Sequence, residues 1–326
     1  MIKKKVDANN LSIAYFEAGR GAPVVLLHGF PELAYSWRSQ IAALAAKGWQ
    51  TIAPDLRGYG DTGPVGDLAA YSMRNLALDV IGLLDSLEIA QAVIVGHDFG
   101  GMLAWWIARE HSDRVLGVAS LNTPYTHRGT VDLAETMRRY RGEDNYMVRF
   151  QVPGEGERLL EADVAATFRG LMRRSSLTLA EFDSAPAHLR CLPMTLFVGE
   201  PEVMGEPIMS EAELQVYIDA FSRNGFAGPL NWYRNLHRNW LDSEGTTDLI
   251  DVPALMISAA DDFFLPPATT IGMERYVRRL ERHVIADCGH WTQHERPGEL
   301  NALLLGWLDR SGWQSLDPSP RPLDLF

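Results

Sequence analysis

The sequence predicts an α/β fold: a mostly parallel sheet covered by helices on both faces, interrupted by an inserted helical lid. Three observations predict it. Short apolar runs alternate with amphipathic, helix-length segments through both ends of the chain. Runs such as Pro23–Leu27 are apolar at every position, as strands buried on both faces are. Across residues 125–245 the alternation stops, and the segment reads as helices and loops. That block is about the size of one domain. It divides the chain into a sheet domain, residues 1–124 and 246–326, and a lid, residues 125–245.

The elements follow in order. Residues 11–17 alternate and predict an edge strand, and Pro23–Leu27 predicts a buried one. Residues 36–47 have helical spacing, which Gly48 ends. Residues 51–55 make a short strand. Residues 71–87 make a helix with Leu76, Val80, Leu83, Leu84 and Leu87 on one face. Val93-Ile94-Val95-Gly96-His97-Asp98-Phe99-Gly100-Gly101 reads as strand, sharp turn and the start of a helix that runs over 102–111. Val115–Leu121 is the next strand. Within the lid only 194–198 has strand character. Strands return at 252–258 and 283–286, with helices at 269–280 and 297–308. Right-handed crossovers then place the loops after these strands along one sheet edge.

Composition narrows the partners. The 326 residues are 46% hydrophobic and 22% charged, an ordinary globular balance. A formal net charge of −12 argues against nucleic acid and anionic membrane. Lys3-Lys4-Lys5 reads as a solvated terminus, and the Pro-rich 317–322 as a surface tail. No signal peptide, repeat or membrane-length apolar run is visible. Cys191 and Cys288 fit neither a disulfide framework nor metal spacing, which suggests a cytoplasmic setting with no metal and no cofactor. Oligomeric state stays open, a homodimer included.

The Gly96–Gly101 turn has the form of a nucleophile elbow, with Asp98 at its apex. Downstream, Asp261-Asp262 and His290 each follow a strand end, in the chain order nucleophile, acid, His. Asp262 orients the ring in this reading, with Asp261 as substitute, and His290 is the general base. A lone His beside a strand is ordinarily structural; three such residues at successive strand ends point to chemistry.

An apical Asp is an anion at neutral pH. It suits attack on saturated carbon, giving an alkyl-enzyme ester that His290-activated water hydrolyses at the Asp98 carboxyl carbon. The backbone N–H groups of Phe30 and Phe99 are the expected oxyanion donors. A halide leaving group wants side-chain N–H donors, which Phe30 and Phe99 lack. A strained three-membered ether wants an acid opposite the carboxylate, and tyrosine fits. The lid offers Tyr233 in Asn231-Trp232-Tyr233-Arg234-Asn235 and Tyr146 in Asn145-Tyr146-Met147-Val148-Arg149-Phe150.

These residues carry a resemblance. His28-Gly29-Phe30-Pro31-Glu32, Tyr35-Ser36-Trp37-Arg38, Asp55-Leu56-Arg57-Gly58-Tyr59-Gly60, the Gly96–Gly101 elbow, Asn231-Trp232-Tyr233-Arg234 and Asp287-Cys288-Gly289-His290-Trp291-Thr292-Gln293 resemble the soluble epoxide hydrolases of the α/β-hydrolase fold. The likeness runs from about Leu11 to about Trp307. The motifs around Phe30 and Asp98 are shared with haloalkane and fluoroacetate dehalogenases; the Asn-Trp-Tyr-Arg motif is more specific to epoxide hydrolases. The resemblance implies Asp98 as nucleophile, Asp262 and His290 as the relay pair, and Tyr233 as one of two donors to the epoxide oxygen.

Two departures stand out. Phe99 occupies a position that is often Trp in the family. Arg149 stands where many members have a Tyr before Phe-Gln, and Tyr146 lies one turn earlier on the same face. Tyr146 is taken as the second donor, with Arg149 as competitor; Arg149 can hydrogen-bond an oxyanion but cannot supply a proton at neutral pH. Of the aromatics Phe30, Trp37, Phe99, Trp105, Trp232, Phe264 and Trp291, only Phe30, Phe99 and Trp291 are assigned substrate contact. The rest read as core. His97 reads as a buried, hydrogen-bonded neighbour. The expected reaction is epoxide to vicinal diol; the alternatives are dehalogenation by the same Asp, or a non-catalytic binding protein on this fold.

Overall fold

The computed structural model describes residues 1–315. Eight strands form one sheet. They are β1 (Ile2–Ala8), β2 (Leu11–Ala18), β3 (Pro23–Leu27), β4 (Gln50–Pro54), β5 (Ala92–His97) and β6 (Val115–Leu121). After a small ribbon of β7 (Arg173–Ser175) and β8 (Met204–Pro207), the last two are β9 (Ala254–Ala259) and β10 (Leu280–Ile285). The spatial order is β1-β2-β4-β3-β5-β6-β9-β10. β1, β2 and β4 pair antiparallel, and all later neighbours are parallel.

Alternate side chains of the central strands feed two cores. Val24 and Leu26 join Val93, Val95, Leu255 and Ile257 on one face. There they meet Ile41 and Leu44 of helix Arg38–Ala46 and Leu300 and Leu304 of helix Pro297–Arg310. Val25 and Leu27 join Ile94, Val118 and Met256 on the other. That face is covered by Leu76, Val80 and Leu83 of helix Met73–Ser86 and Leu103 and Ile107 of helix Phe99–Glu110. Burial on both faces is why these strands read as unbroken apolar runs.

Between β6 and β9 the chain builds nine short α-helices, from Leu133–Arg141 to Leu236–Asp242, and the ribbon β7–β8. Phe150, Phe168, Tyr217, Phe226 and Trp232 of this segment are buried in a cluster continuous with one face of the sheet. Trp232 Nε1 donates to Arg57 O at 3.0 Å, and Ser36 Oγ meets Tyr217 Oη at 2.9 Å, so the segment is hydrogen-bonded down onto the sheet loops.

Three expectations need correction. The edge strand is β1, not residues 11–17; Lys3-Lys4-Lys5 lies within it, exposed to solvent as expected. Lys3 pairs with Asp61 and Lys4 with Glu17. An edge strand wetted on both faces carries no apolar pattern, and lysines there deter pairing with other chains. Residues 194–198 hold a 3₁₀ turn, Met194–Phe197, not a strand. The predicted helix at 269–280 is two 3₁₀ turns, Pro267–Thr270 and Met273–Arg275, separated by Gly272 at φ +92°. β10 then begins at Leu280. The proposed tail at 317–322 lies outside the described residues.

Candidate active site

The parallel register puts the ends of β3, β5, β6, β9 and β10 on one edge, with Leu27 beside Gly96, His97 beside Leu121, and Ala259 beside Ile285. Asp98 follows β5 at φ 52° and ψ −122°, an unusual backbone for a residue with a Cβ. The surrounding glycines permit it. A Cβ on Gly100 would stand 2.1 Å from Leu27 O, and one on Gly96 would stand 2.0 Å from Gly100 O. Strand and helix therefore meet backbone to backbone. Thr123 Oγ1 donates to Asp98 O at 2.7 Å and ties the turn to the end of β6.

The Asp98 carboxylate is held from two sides. Phe30 N–H, in the loop after β3, donates to Oδ1 at 2.8 Å. His290 Nε2 lies 3.8 Å from Oδ2. The other ring nitrogen of His290 is 2.9 Å from Asp262 Oδ2. Asp262 is fully buried and also accepts from Phe264 N, Leu265 N and Asn122 Nδ2, at 2.9, 3.0 and 2.8 Å. Asp261 points elsewhere and accepts from Leu179 N at 3.2 Å.

The charges are unequal. Burial pushes the Asp262 carboxyl up, but the His290 charge and the converging hydrogen bonds hold it below the ordinary carboxylate value. Burial likewise opposes a charged His290. Asp262 and then Asp98 outweigh it and raise the ring to about 9. The resting pair is thus an imidazolium between two carboxylates.

Tyr146 and Tyr233 come together from separate helices, Tyr146–Arg149 and Ala227–Arg234, within reach of the Asp98 charge. Their rings lie 5.9 Å apart, and Tyr233 packs edge-on against Phe30 at 5.1 Å and Phe99 at 4.7 Å. Burial raises both phenols well above 10, and the Asp98 charge adds to it. Both therefore stay protonated through the neutral range. Arg149 instead extends outward, 41% exposed, and pairs with Glu155 at 2.9 Å. Gln151 Nε2 donates to both Met147 O and Tyr233 O, each at 2.9 Å, and so joins the two phenol-bearing helices. A small cavity of about 40 Å³ reaches His290 between Leu171, Leu196, Phe264 and Trp291. Trp291 is anchored there by its indole N–H on Leu171 O at 3.1 Å.

A buried polar hub behind the site escaped the sequence reading. Glu32 is fully enclosed, with His97 Nδ1 at 2.8 Å, Gln293 Nε2 at 2.7 Å and His294 Nε2 at 3.1 Å. Burial opposes its charge, yet His97 and His294 hold its carboxyl well below the usual range. His97 continues the chain, its Nε2 2.8 Å from His290 O. Asn122 was missed too. It sits at φ +64°, accepts from Thr292 Oγ1 at 2.8 Å and serves Asp262. The available signals were a Glu directly after His-Gly-Phe-Pro and an Asn directly after an apolar strand.

Residues 22–297 match the family model for the alpha/beta hydrolase fold. Epoxide hydrolase A of Mycobacterium tuberculosis (strain ATCC 25618 / H37Rv) is 42% identical over 318 residues, covering 94% of this chain and 97% of that one. The chain belongs to the epoxide hydrolases of the α/β-hydrolase family. The crystal structure of epoxide hydrolase A from Mycobacterium thermoresistibile superposes with a TM-score of 0.85 at 36% identity, covering 94% of this chain and 98% of that one. The bifunctional epoxide hydrolase 2 of Sus scrofa is 40% identical over 300 residues, 90% of this chain but 53% of its own length. The chain thus spans about half the length of that relative. Phe99 follows Asp98 and supplies a backbone N–H there, with no side-chain donor.

Proposed function

We propose that this chain hydrolyses an epoxide to a vicinal diol through an alkyl ester on Asp98. A carboxylate at a strained elbow, faced by two buried phenols and backed by a His-Asp pair, carries the reading. In the first step an Asp98 oxygen attacks an epoxide carbon from behind. The C–O bond of the ring breaks, and its oxygen takes a proton from Tyr233 or Tyr146. Positions 1–124 and 246–326 act as the core, and 125–245 as the lid that brings these acids. Phe30, Phe99 and Trp291 line the substrate.

Esterification neutralises Asp98, so His290 loses one of the charges that hold its proton, and that proton passes through solvent to the tyrosinate left by the first step. The freed base then takes a proton from water, and the hydroxide adds to the Asp98 carboxyl carbon. Phe30 and Phe99 N–H groups receive the oxyanion. Collapse expels the diol oxygen, which takes back a proton, and Asp98 is regenerated. The scheme uses water alone and no cofactor. The two free cysteines support a cytoplasmic setting. Among the described residues no helix is long and apolar enough to cross a membrane.

The test uses a panel of styrene-type and aliphatic epoxides scored for diol, with haloalkanes scored for halide. His290→Gln should stall after the first step, and the intact protein should gain the mass of one epoxide. Steady diol production by that variant would sink the role given to His290. Halide release without diol would move the chain to dehalogenation.

A further inference from the structure

His290 sits on the segment 287–295, which follows β10. The segment begins under strain, since Asp287 has φ 45°. Three backbone groups around the histidine are taken up by buried side chains. One is the His290 carbonyl, which faces His97 Nε2. The other two are the N–H groups on either side of the histidine, and both go to one carboxylate. Gly289 N–H donates to Glu295 Oε2 at 2.9 Å, and Trp291 N–H to Oε1 at 3.1 Å. The Glu295 side chain is 3% exposed. A Cβ on Gly289 would stand only 3.0 Å from Oε1, so the glycine lets the carboxylate come in close.

A buried carboxylate is costly unless it is paired. Burial pushes the Glu295 carboxyl above its usual value, against the pull of the Gly289 and Trp291 N–H groups and of Arg174. Asp262, past β9, also faces it and opposes its charge. Arg296, next along the chain, turns to Asp287 at 3.9 Å. Arg174 is therefore the cation that matches Glu295. Its Nε lies 3.7 Å from Glu295 Oε2, and its Nη2 donates to Asp287 O at 2.5 Å. One guanidinium thus touches both ends of the segment that carries His290. It arrives from the ribbon of β7 and β8, within the proposed lid. Its neighbours Arg173 and Ser175 line the small cavity that reaches His290.

We infer that Glu295 and Arg174 are positioning residues for His290: Glu295 holds its backbone from both flanks, and Arg174 ties that hold to the β7–β8 ribbon. Neither touches a reacting atom. Each acts through the alignment of the His290 ring with Asp262, 2.9 Å away, and with Asp98. For turnover the inference rests on the proposed function; for the ring itself it does not.

The test titrates histidine-labelled wild type, Arg174→Met and Glu295→Gln by NMR. Arg174→Met decides by sign. Deleting a cation would, by charge alone, raise the affinity of His290 for its proton. Lost alignment with Asp262 lowers it, so the ring pKa should fall from about 9. Glu295→Gln keeps one acceptor oxygen and turns an amide NH2 on the second N–H. There the proton affinity should drop about tenfold, one pKa unit. Denaturant melts establish that each variant is folded. A merely structural brace would lower the melting midpoint and leave the ring of the folded protein at its wild-type pKa. If Glu295→Gln does not fold, Arg174→Met decides alone, since that side chain is 41% exposed. Rapid-quench single turnovers give a second reading. Ester hydrolysis should slow about tenfold or more in Glu295→Gln, with ester formation little changed. A ring pKa that is unchanged or raised in Arg174→Met overturns the inference, whatever the turnover. Ring shifts as expected, with no diol from wild type, would sink the epoxide reading and leave the positioning roles standing.

Discussion

Removing the Asp98 charge should unload the proton from His290. The perturbation is Asp98→Ala, which deletes a carboxylate 3.8 Å from His290 Nε2. At that separation two unit charges interact by about 1 kcal/mol at the dielectric of water and about 4 kcal/mol at an effective value of about 20. The site lies between these limits, since the side chains of His290 and Asp98 are 10% and 18% exposed. The shift is then roughly one to three pKa units downward, from about 9 in the intact protein. Histidine-labelled protein titrated by NMR reads it directly, with Asp262 still in place in both proteins. Esterification of Asp98 should act on the ring as the substitution does. A pH series of single turnovers should therefore show hydrolysis of the ester slowing as the medium becomes acidic, with the alkyl-enzyme accumulating. A ring that titrates within 0.3 units of wild type in Asp98→Ala (about 0.4 kcal/mol) would refute the electrostatic coupling.

Three further outcomes are expected. Tyr146→Phe and Tyr233→Phe should each slow ester formation, and together by about 10² to 10⁴, with ester hydrolysis little changed; rapid-quench kinetics separate the two steps. Arg57→Met should destabilise the fold by about 3–5 kcal/mol. It strips a buried bidentate partner, both bonds at 2.7 Å, from Asp79, and denaturant melts measure the loss. The pH dependence of stability should carry the His290 sign. The raised folded pKa means that its contribution is full below the unfolded value of about 6.5 and fades as pH rises through about 9. The stability gap between wild type and His290→Gln should therefore narrow from pH 6.5 to 9 in parallel melts.

The sequence made the inner strands legible because burial on both faces leaves unbroken apolar runs, as in Pro23–Leu27 and the Ala92-Val93-Ile94-Val95 start of β5. It hid β1 for the converse reason, since Lys3, Lys4 and Lys5 in an edge strand look like a solvated end. The two-strand ribbon was unreadable because three or four residues, with no buried face, show no period. At the site, Asp98, Asp262 and His290 stood out by position, each just past a strand. Glu32 did not, because an acidic residue in a loop ordinarily signals solvent, and only three-dimensional packing surrounds it with His97, Gln293 and His294. The choice between Tyr146 and Arg149 was likewise open on spacing. The fold turns Arg149 toward Glu155 and packs Tyr146 against Phe197 at 5.0 Å.

The Gln151 amide has a mechanical consequence. With one hydrogen on the carbonyl of Met147 and the other on that of Tyr233, it splices two helices that are remote along the chain. Tyr146 and Tyr233 cannot part company without the surrender of one of those two bonds.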